Sequence, residues 1–402
     1  MGRMLPSLCS PEACTACSAC ANICPVSAIS MVENACGEHF PCVDSAKCVG
    51  CHLCERTCPE VNSNLVVKND VPTVYSCWLK NAEDRGQSTS GGAAYAISCA
   101  VIRQGGHVWG AAYDANLQCR YTEANTIQGL RPIQKSKYVQ SFVGDAFQKI
   151  KAELDQGDLV LFCGTGCHVK GLLAFLHRPY DNLLTLDLVC HGVPGQGVFR
   201  KYISWLESKY SDHVVNYVPR YKRPDGQELR FCRMASFEHK GDVRLVLDDD
   251  SYYTAFVRGL TLRDNCFACT ANGECRYSDF TVADFWGIGK VQPFRQNRQR
   301  SRGISMLALN SPKAHSFFPN ISNFIESEER SYEEASLVNS PYYKSATPSP
   351  RRVAFRKDYN ALTWQELADR YMRLTLKQKI TYYVKKHIPP YLSAMLNHWA
   401  HR

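Results

Sequence analysis

The sequence predicts a chain of two unlike parts: a small α+β module rich in cysteine, then an α/β domain with some antiparallel strands and a helical C-terminal tail. One cysteine spacing occurs twice within residues 1–62, at an offset of 34 residues from Cys14 to Cys48, and marks the module. From Val74 on, apolar runs of strand length alternate with helix-length runs across Gly-rich turns, which is the grammar of βα units. The chain has 402 residues, of which 45% are hydrophobic and 21% charged. That length leaves room for one large or two ordinary domains beyond the module.

The first copy, CTACSACANICP, sets Cys14, Cys17, Cys20 and Cys24 ahead of Pro25. The second, CVGCHLCERTCP, sets Cys48, Cys51, Cys54 and Cys58 ahead of Pro59. Both follow C-x2-C-x2-C-x3-C-P, the run that holds two 4Fe–4S clusters in bacterial-type ferredoxins. Three thiolates two residues apart wrap one face of a cubane, and the fourth lies beyond that loop and reaches the other cluster. Cys14, Cys17, Cys20 and Cys58 are therefore assigned to one cluster, and Cys48, Cys51, Cys54 and Cys24 to the second. Zinc also uses C-x2-C, but as two pairs rather than two interleaved quartets each closed by Pro. Over about residues 10–62 the chain resembles a two-cluster ferredoxin, so residues 1–66 are expected to form a ferredoxin-like module.

Twenty-one cysteines, with no apolar signal core near the start, predict a cytoplasmic protein whose thiols serve metal and redox chemistry rather than disulfides. No apolar run approaches the roughly 20 residues that cross a bilayer, so no integral membrane segment is expected. The formal charge is +9. Each four-thiolate cluster is a net anion, so the loaded protein is less basic than that count. The basic segments Arg295–Arg302 and Lys377–Lys386 read first as solvated faces, and second as a docking surface for an acidic electron carrier. No stacking motif or recognition helix accompanies the charge, which argues against nucleic acid.

Along the chain, 62–72 reads as a polar linker. Strands are expected over Val74–Trp78, His107–Tyr113, Asp158–Cys163 and Leu183–Val189, with another near Ile304–Leu309. Helices are expected from Gly92 to about Gln104, over Phe142–Leu154, after Gly166, and over Gly197–Tyr210. Residues 214–257 alternate apolar and polar and read as antiparallel strands, turning at Pro224–Gly226. The expected domains are 1–66, 73–300 and a C-terminal extension, 301–402.

Four more cysteines fall where strands end or loops turn: Cys167 in GTGCH, Cys190 in CHGVP, and Cys266 and Cys269 in CFAC. They suit a third cluster, discontinuous in sequence. A lone C-x2-C also suits zinc, buried cysteines also simply pack, and Cys275 can stand in for one of the four. Cys9, Cys36, Cys42, Cys77, Cys99, Cys119, Cys163 and Cys232 fit no pattern and read as packing or surface thiols. Ser88–Gly92 ahead of a helix is either an anion cradle or an ordinary cap. The turn at Gly164–Gly166 has the same two readings.

From about Val74 to Phe355 the chain resembles the beta-subunit family of coenzyme F-420 (deazaflavin) hydrogenases and dehydrogenases. The stretches that carry the resemblance are STSGG, SKYVQS, LFCGTGCHVKGL, DLVCHGVP, the CFAC pair with RYSDFTVADFWGIG, and PRRVAF. The resemblance implies an FAD and a cluster on Cys167, Cys190, Cys266 and Cys269. It further implies Ser90, Gly91 and Gly92 at the flavin phosphates, Thr165 in the cofactor site, and Lys137, Tyr138, Gln140 and Ser141 nearer the ring. His191 reads as a proton donor near the flavin or as a structural histidine, and Asp284 and Trp286 as functional groups or fold determinants. Two departures stand out: the family's G-T-P-C-Q is GTGCH here, with Gly166 and His168 replacing Pro and Gln.

The implied function follows from electron counting. Clusters carry single electrons, hydride carriers take two, and a flavin handles both. The expected protein is an iron–sulfur flavoprotein oxidoreductase. It would take electrons from a ferredoxin-type donor through the clusters to FAD, and pass hydride to a substrate or a deazaflavin-type carrier. The family includes bacterial proteins linked to polysaccharide gene clusters. The alternative is an electron-transfer subunit working for another chain, and a third reading is a domain that binds no flavin.

Overall fold

The computed structural model describes residues 4–222 and 232–380. The turn expected at Pro224–Gly226 and the tail past 380 lie outside them, as does most of the 377–386 segment.

The two cysteine copies fold alike. Each passes through a left-handed residue, Ser18 (φ 60°) or His52 (φ 56°), into a five-residue helix: α1 (Ala19–Ile23) and α2 (Leu53–Thr57). Between them β1 (Ile29–Glu33) and β2 (His39–Val43) pair antiparallel. The linker stretch is pinned, since Lys68 Nζ donates to the Asn272 carbonyl at 2.7 Å and the Asn69 amide to the Arg276 carbonyl at 2.7 Å.

The rest is built on one eight-stranded mixed sheet. Its strands are β3 (Thr73–Leu79), β4 (His107–Tyr113), β5 (Cys119–Ala124), β6 (Val160–Thr165) and β7 (Leu183–Leu188). A separate three-stranded antiparallel sheet holds β8 (Val214–Val218), β9 (Arg233–Phe237) and β10 (Gly241–Leu245). The large sheet then resumes with β11 (Phe280–Asp284), β12 (Ser305–Leu309) and β13 (Ile325–Arg330), in the order β13-β3-β12-β11-β7-β6-β4-β5. Its centre, β11-β7-β6-β4, is parallel, and its flanks are antiparallel. The sheet therefore continues past residue 300 through β12 and β13.

Helix α3 (Ala82–Gly86) is followed, after the left-handed Gly92 (φ 95°), by α4 (Ala93–Arg103). Next come α5 (Ala146–Gln156), α6 (Gly166–Leu176) and α7 (Gln196–Tyr210). The helix expected from Phe142 begins at Ala146, because Phe142 forms a bridge with Arg120 beside the sheet edge. Residues 251–257 are not strand, as expected, but helix α8 (Ser251–Val257). Tyr252 and Phe256, four apart, share a helical face and bury in two adjoining clusters. Helix α9 (Pro312–Ser322) follows β12. The C-terminal stretch, expected as helical, also carries β13.

Helices α4 and α9 cover one face of the sheet with Ala96, Ile97, Phe317 and Ile321. Helices α5 and α6 cover the other with Phe147, Ile150, Val169 and Leu172, and Cys17 and Ala19 of the module join that same core. Module and domain thus share apolar packing. Polar ties add to it: Lys170–Glu60 (3.0 Å, Lys170 buried), Arg356–Glu38 (2.6 Å) and Asn22 Nδ2 to the Gly144 carbonyl (2.8 Å). No helix of the described residues is long and apolar enough to cross a membrane.

Candidate functional site

Two cavities in the module collect the two cysteine sets. One is lined by Cys14, Cys17, Cys20 and Cys58, and by Cys9 as well. The other is lined by Cys24, Cys48, Cys51 and Cys54. Each takes three cysteines of one copy and the last cysteine of the other. Backbone amides point at the sulfurs: Ala16 N–H to Cys14 Sγ at 3.4 Å and Ala28 N–H to Cys24 Sγ at 3.2 Å. Burial pushes the Cys17 thiol up to about 12. A hydrogen bond from Cys9 holds Cys14 and Cys58 below the usual thiol range.

The third set forms at the carboxyl ends of adjacent parallel strands, where open α/β sheets bind ligands. Cys167 lies two residues past the end of β6, in the first turn of α6, and Cys190 two residues past β7. Cys266 and Cys269 come from the short helical turn at Asp264–Ala268 and its end. Burial, and then Cys269, Cys190 and Cys266, push the Cys167 thiol well above its usual range. Burial, then Cys266 and Cys269, push Cys190 to about 12. Thiols gathered this closely repel one another as thiolates, so a cationic centre is what would hold them deprotonated together. Cys275 is absent from the groups that raise Cys167, Cys190 and Cys266.

The spacing of the sulfurs bears on zinc. Tetrahedral zinc with bonds of about 2.3 Å needs sulfurs about 3.8 Å apart. Among the described residues, only His107, Glu123 and Glu153 bring three ligand atoms within 4.8 Å of one another, and no cysteine trio does.

Around the central set, Arg276 pairs with Asp187 at 2.7 Å, both buried. A side chain at Gly166 would meet Asp187 Oδ2 and Ala271 Cβ, each at 2.9 Å, so the glycine in GTGCH is a packing requirement. His168 is buried and pairs through Nδ1 with the Tyr121 hydroxyl at 2.9 Å. Arg263, fully buried just before Cys266, donates to the Cys14 carbonyl at 3.1 Å and so ties the central loop to the first module cavity.

The residues expected around a flavin divide into two groups. Ser90 donates to the Ile304 carbonyl at 2.9 Å, and Gly91 lies against the Cys77 carbonyl and the Ser305 amide. The Ser90 carbonyl accepts from Lys222, which also donates to the Arg85 and Arg302 carbonyls at 3.0 Å each. Burial and the nearby Arg85 push Lys222 down to about 7. Arg220, two residues earlier, pairs with Asp284. Lys137 donates to four carbonyls of its own loop, from Pro132 to Lys135, and burial brings it down to about 8. Tyr138 stacks on Phe256 at 5.0 Å, and His191 meets the same ring edge-on at 5.2 Å. His191 Nε2 is buried without a hydrogen-bond partner. These groups share one neighbourhood.

Gln140, Ser141 and Thr165 lie elsewhere. Gln140 Nε2 donates to the Thr15 carbonyl of the module at 2.9 Å. The Ser141 hydroxyl pairs with Cys119 at 3.3 Å, and the Thr165 hydroxyl with Cys167 at 3.2 Å. Trp286 is exposed, whereas Asp284 is held by Arg220 and, through its carbonyl, by Asn339 at 2.7 Å. The sequence reading missed Arg85, Lys222, Phe256 and Arg263, because residues so far apart carry no local signal.

Paired cysteine cavities and a thiol set at the strand ends define an iron–sulfur protein of the oxidoreductase type. Residues 10–30 match a family model described as 4Fe-4S binding domain. Residues 157–334 match one described as the C terminus of the coenzyme F420 hydrogenase/dehydrogenase beta subunit. The central and following strands of this chain thus match the C-terminal part of that beta-subunit family, with a 4Fe–4S match ahead of it. A chain of the F420-reducing [NiFe] hydrogenase complex from Methanosarcina barkeri is similar, with a TM-score of 0.46 and 13% identity, covering 69% of this chain and 89% of that one. No curated protein matches.

Proposed function

We propose that this chain is an iron–sulfur flavoprotein oxidoreductase. It takes single electrons from a ferredoxin-type donor and delivers them as hydride to a substrate or a deazaflavin-type carrier. Cys14, Cys17, Cys20 and Cys58 would hold one 4Fe–4S cluster, Cys24, Cys48, Cys51 and Cys54 a second, and Cys167, Cys190, Cys266 and Cys269 a third. Bound clusters supply one-electron transfer, and a bound FAD supplies the change from one electron to two. The observation that carries this reading is the continuity of the thiol sets. Helix α6 begins with Cys167 and, one turn on, packs Gly171 against Cys17.

For FAD, support comes from the Gly-rich Ser88–Gly92 loop at the N-terminus of α4, a position suited to phosphates, with Lys222 bracing the loop from behind through the Arg85, Ser90 and Arg302 carbonyls. Tyr138 and Phe256 supply stacked rings with His191 edge-on to them, its Nε2 buried without a partner and so open to a ligand. Lys137 and Lys222 keep their loops rigid. Domain limits of 1–66, 73–300 and 301–402, the last holding the end of the family domain with β12 and β13, a cytoplasmic setting and a role in surface-polysaccharide metabolism belong to the same reading. The matched family's description as a beta subunit favours a second one, an electron-transfer subunit without a substrate of its own.

Iron, acid-labile sulfide and flavin per chain after anaerobic purification test the proposal. About twelve iron and one flavin are expected. About eight iron and no flavin would leave a carrier module and remove the reductase reading. A native mass that stays monomeric while substrate turns over would remove the subunit reading.

A further inference from the structure

Cys9 fits no ligand spacing, yet the fold puts it inside the first cavity. A cubane takes four thiolates. Five thiols face this cavity, whereas the second cavity is lined by its four ligand cysteines alone. The Cys9 thiol is within hydrogen-bonding reach of both Cys14 and Cys58. Cys9, Cys14 and Cys58 all line this cavity. Residues 4–10 have no regular secondary structure, so Cys9 can shift without breaking a ladder or a helix. The anchor of this segment is a hydrogen bond from the Ser7 amide to the Glu55 carboxylate.

We infer that Cys9 is a reserve ligand of the first cluster, placed to take over from Cys14 or Cys58. The exchange changes no oxidation state. The Cys9 sulfur forms its bond to iron as the bond from Cys14 or Cys58 breaks, and the proton Cys9 gives up ends on the released sulfur. The inference rests on the proposed reading of Cys14, Cys17, Cys20 and Cys58 as cluster ligands.

The test uses the full-length protein, purified anaerobically as Cys9→Ala, Cys14→Ala, Cys58→Ala, and each of the last two combined with Cys9→Ala. Iron, labile sulfide and the electron paramagnetic resonance of the reduced protein are the readouts. Cys9→Ala alone is expected to keep wild-type iron. Cys14→Ala and Cys58→Ala are expected to keep it too, with shifted resonance, while each double variant loses about four iron per chain. Cys17→Ala, whose thiol is raised by Cys14 and Cys58 but not by Cys9, is expected to lose about four iron with or without Cys9. Equal losses in the single and double variants would overturn the inference, and so would iron loss from Cys9→Ala alone. If the wild-type module carries no iron, the cluster reading itself fails, and that result is visible before any variant is made.

Discussion

Gly171 faces Cys17 across the junction of the two parts. A side chain at position 171 would meet Cys17 Cβ at 2.5 Å and its sulfur at 2.8 Å. Cys167 and Gly171 are four residues apart on α6 and so share a face. One helical face therefore carries a central-site thiol and, a turn later, the seat of a module thiol. Replacing Gly171 by Ala is expected to loosen the first cysteine loop, and by Leu to displace it. Iron content would fall in that order by up to about four per chain, with overpacking costing roughly 1–3 kcal/mol. Full iron retention in Gly171→Leu would show that the contact does not hold the loop.

Cys190→Ser removes one thiol of the central set. About four iron per chain are expected to be lost, while the resonance of the two module clusters persists. The same experiment on Cys275, which is absent from the groups that raise Cys167, Cys190 and Cys266, is expected to cost no iron. A reversed pattern would move the ligand assignment to Cys275.

Lys222→Met takes away the ammonium that donates to the carbonyls of Arg85, Ser90 and Arg302. Hydrogen bonds to a charged group contribute about 1.5–3 kcal/mol each. Flavin affinity is accordingly expected to drop tenfold or more, as read by fluorescence titration of the flavin-stripped protein. Unchanged affinity would place the phosphates elsewhere.

Asp250 gives a pH signature. Burial is the main cause that raises its carboxyl from 3.8 to about 7, and Arg233, 3.6 Å away, offsets this only in part. Neither Asp250 Oδ1 nor Arg233 Nε has a hydrogen-bond partner, so the pair is loose. A raised carboxyl makes its contribution in full below pH 3.8 and loses it as pH climbs to about 7. Asp250→Asn escapes that loss. Its stability relative to wild type is expected to rise across this window, by on the order of 3 kcal/mol, and to level off above it. Melting temperatures of both proteins from pH 4 to 8 decide it, and a difference independent of pH would rule out a buried acid here.

The module was legible because its ligands are local, with all eight cysteines inside two short repeats. Cys167 and Cys190 were legible because strand ends announce themselves through Gly-rich turns. The alternating aromatic run at Ser251–Val257 read as strand, yet the burial of Tyr252 and Phe256 turned it into helix. Strand β13 was passed over because its IESEER sequence has little apolar content, and pairing with β3 made it a strand. The cationic loop was not legible, since Arg85, Lys222 and Arg302 meet only after the fold closes.

Strand β13 is an outer strand of the large sheet, and Glu326, Glu328 and Glu329 stand along it between buried Ile325 and Arg330. Rows of like charge repel an approaching strand, which is how natural sheets avoid joining edge to edge. The molecule is thereby protected against growing by strand addition from that side. A second chain that binds on that side would have to do so through side-chain surfaces rather than by extending the ladder.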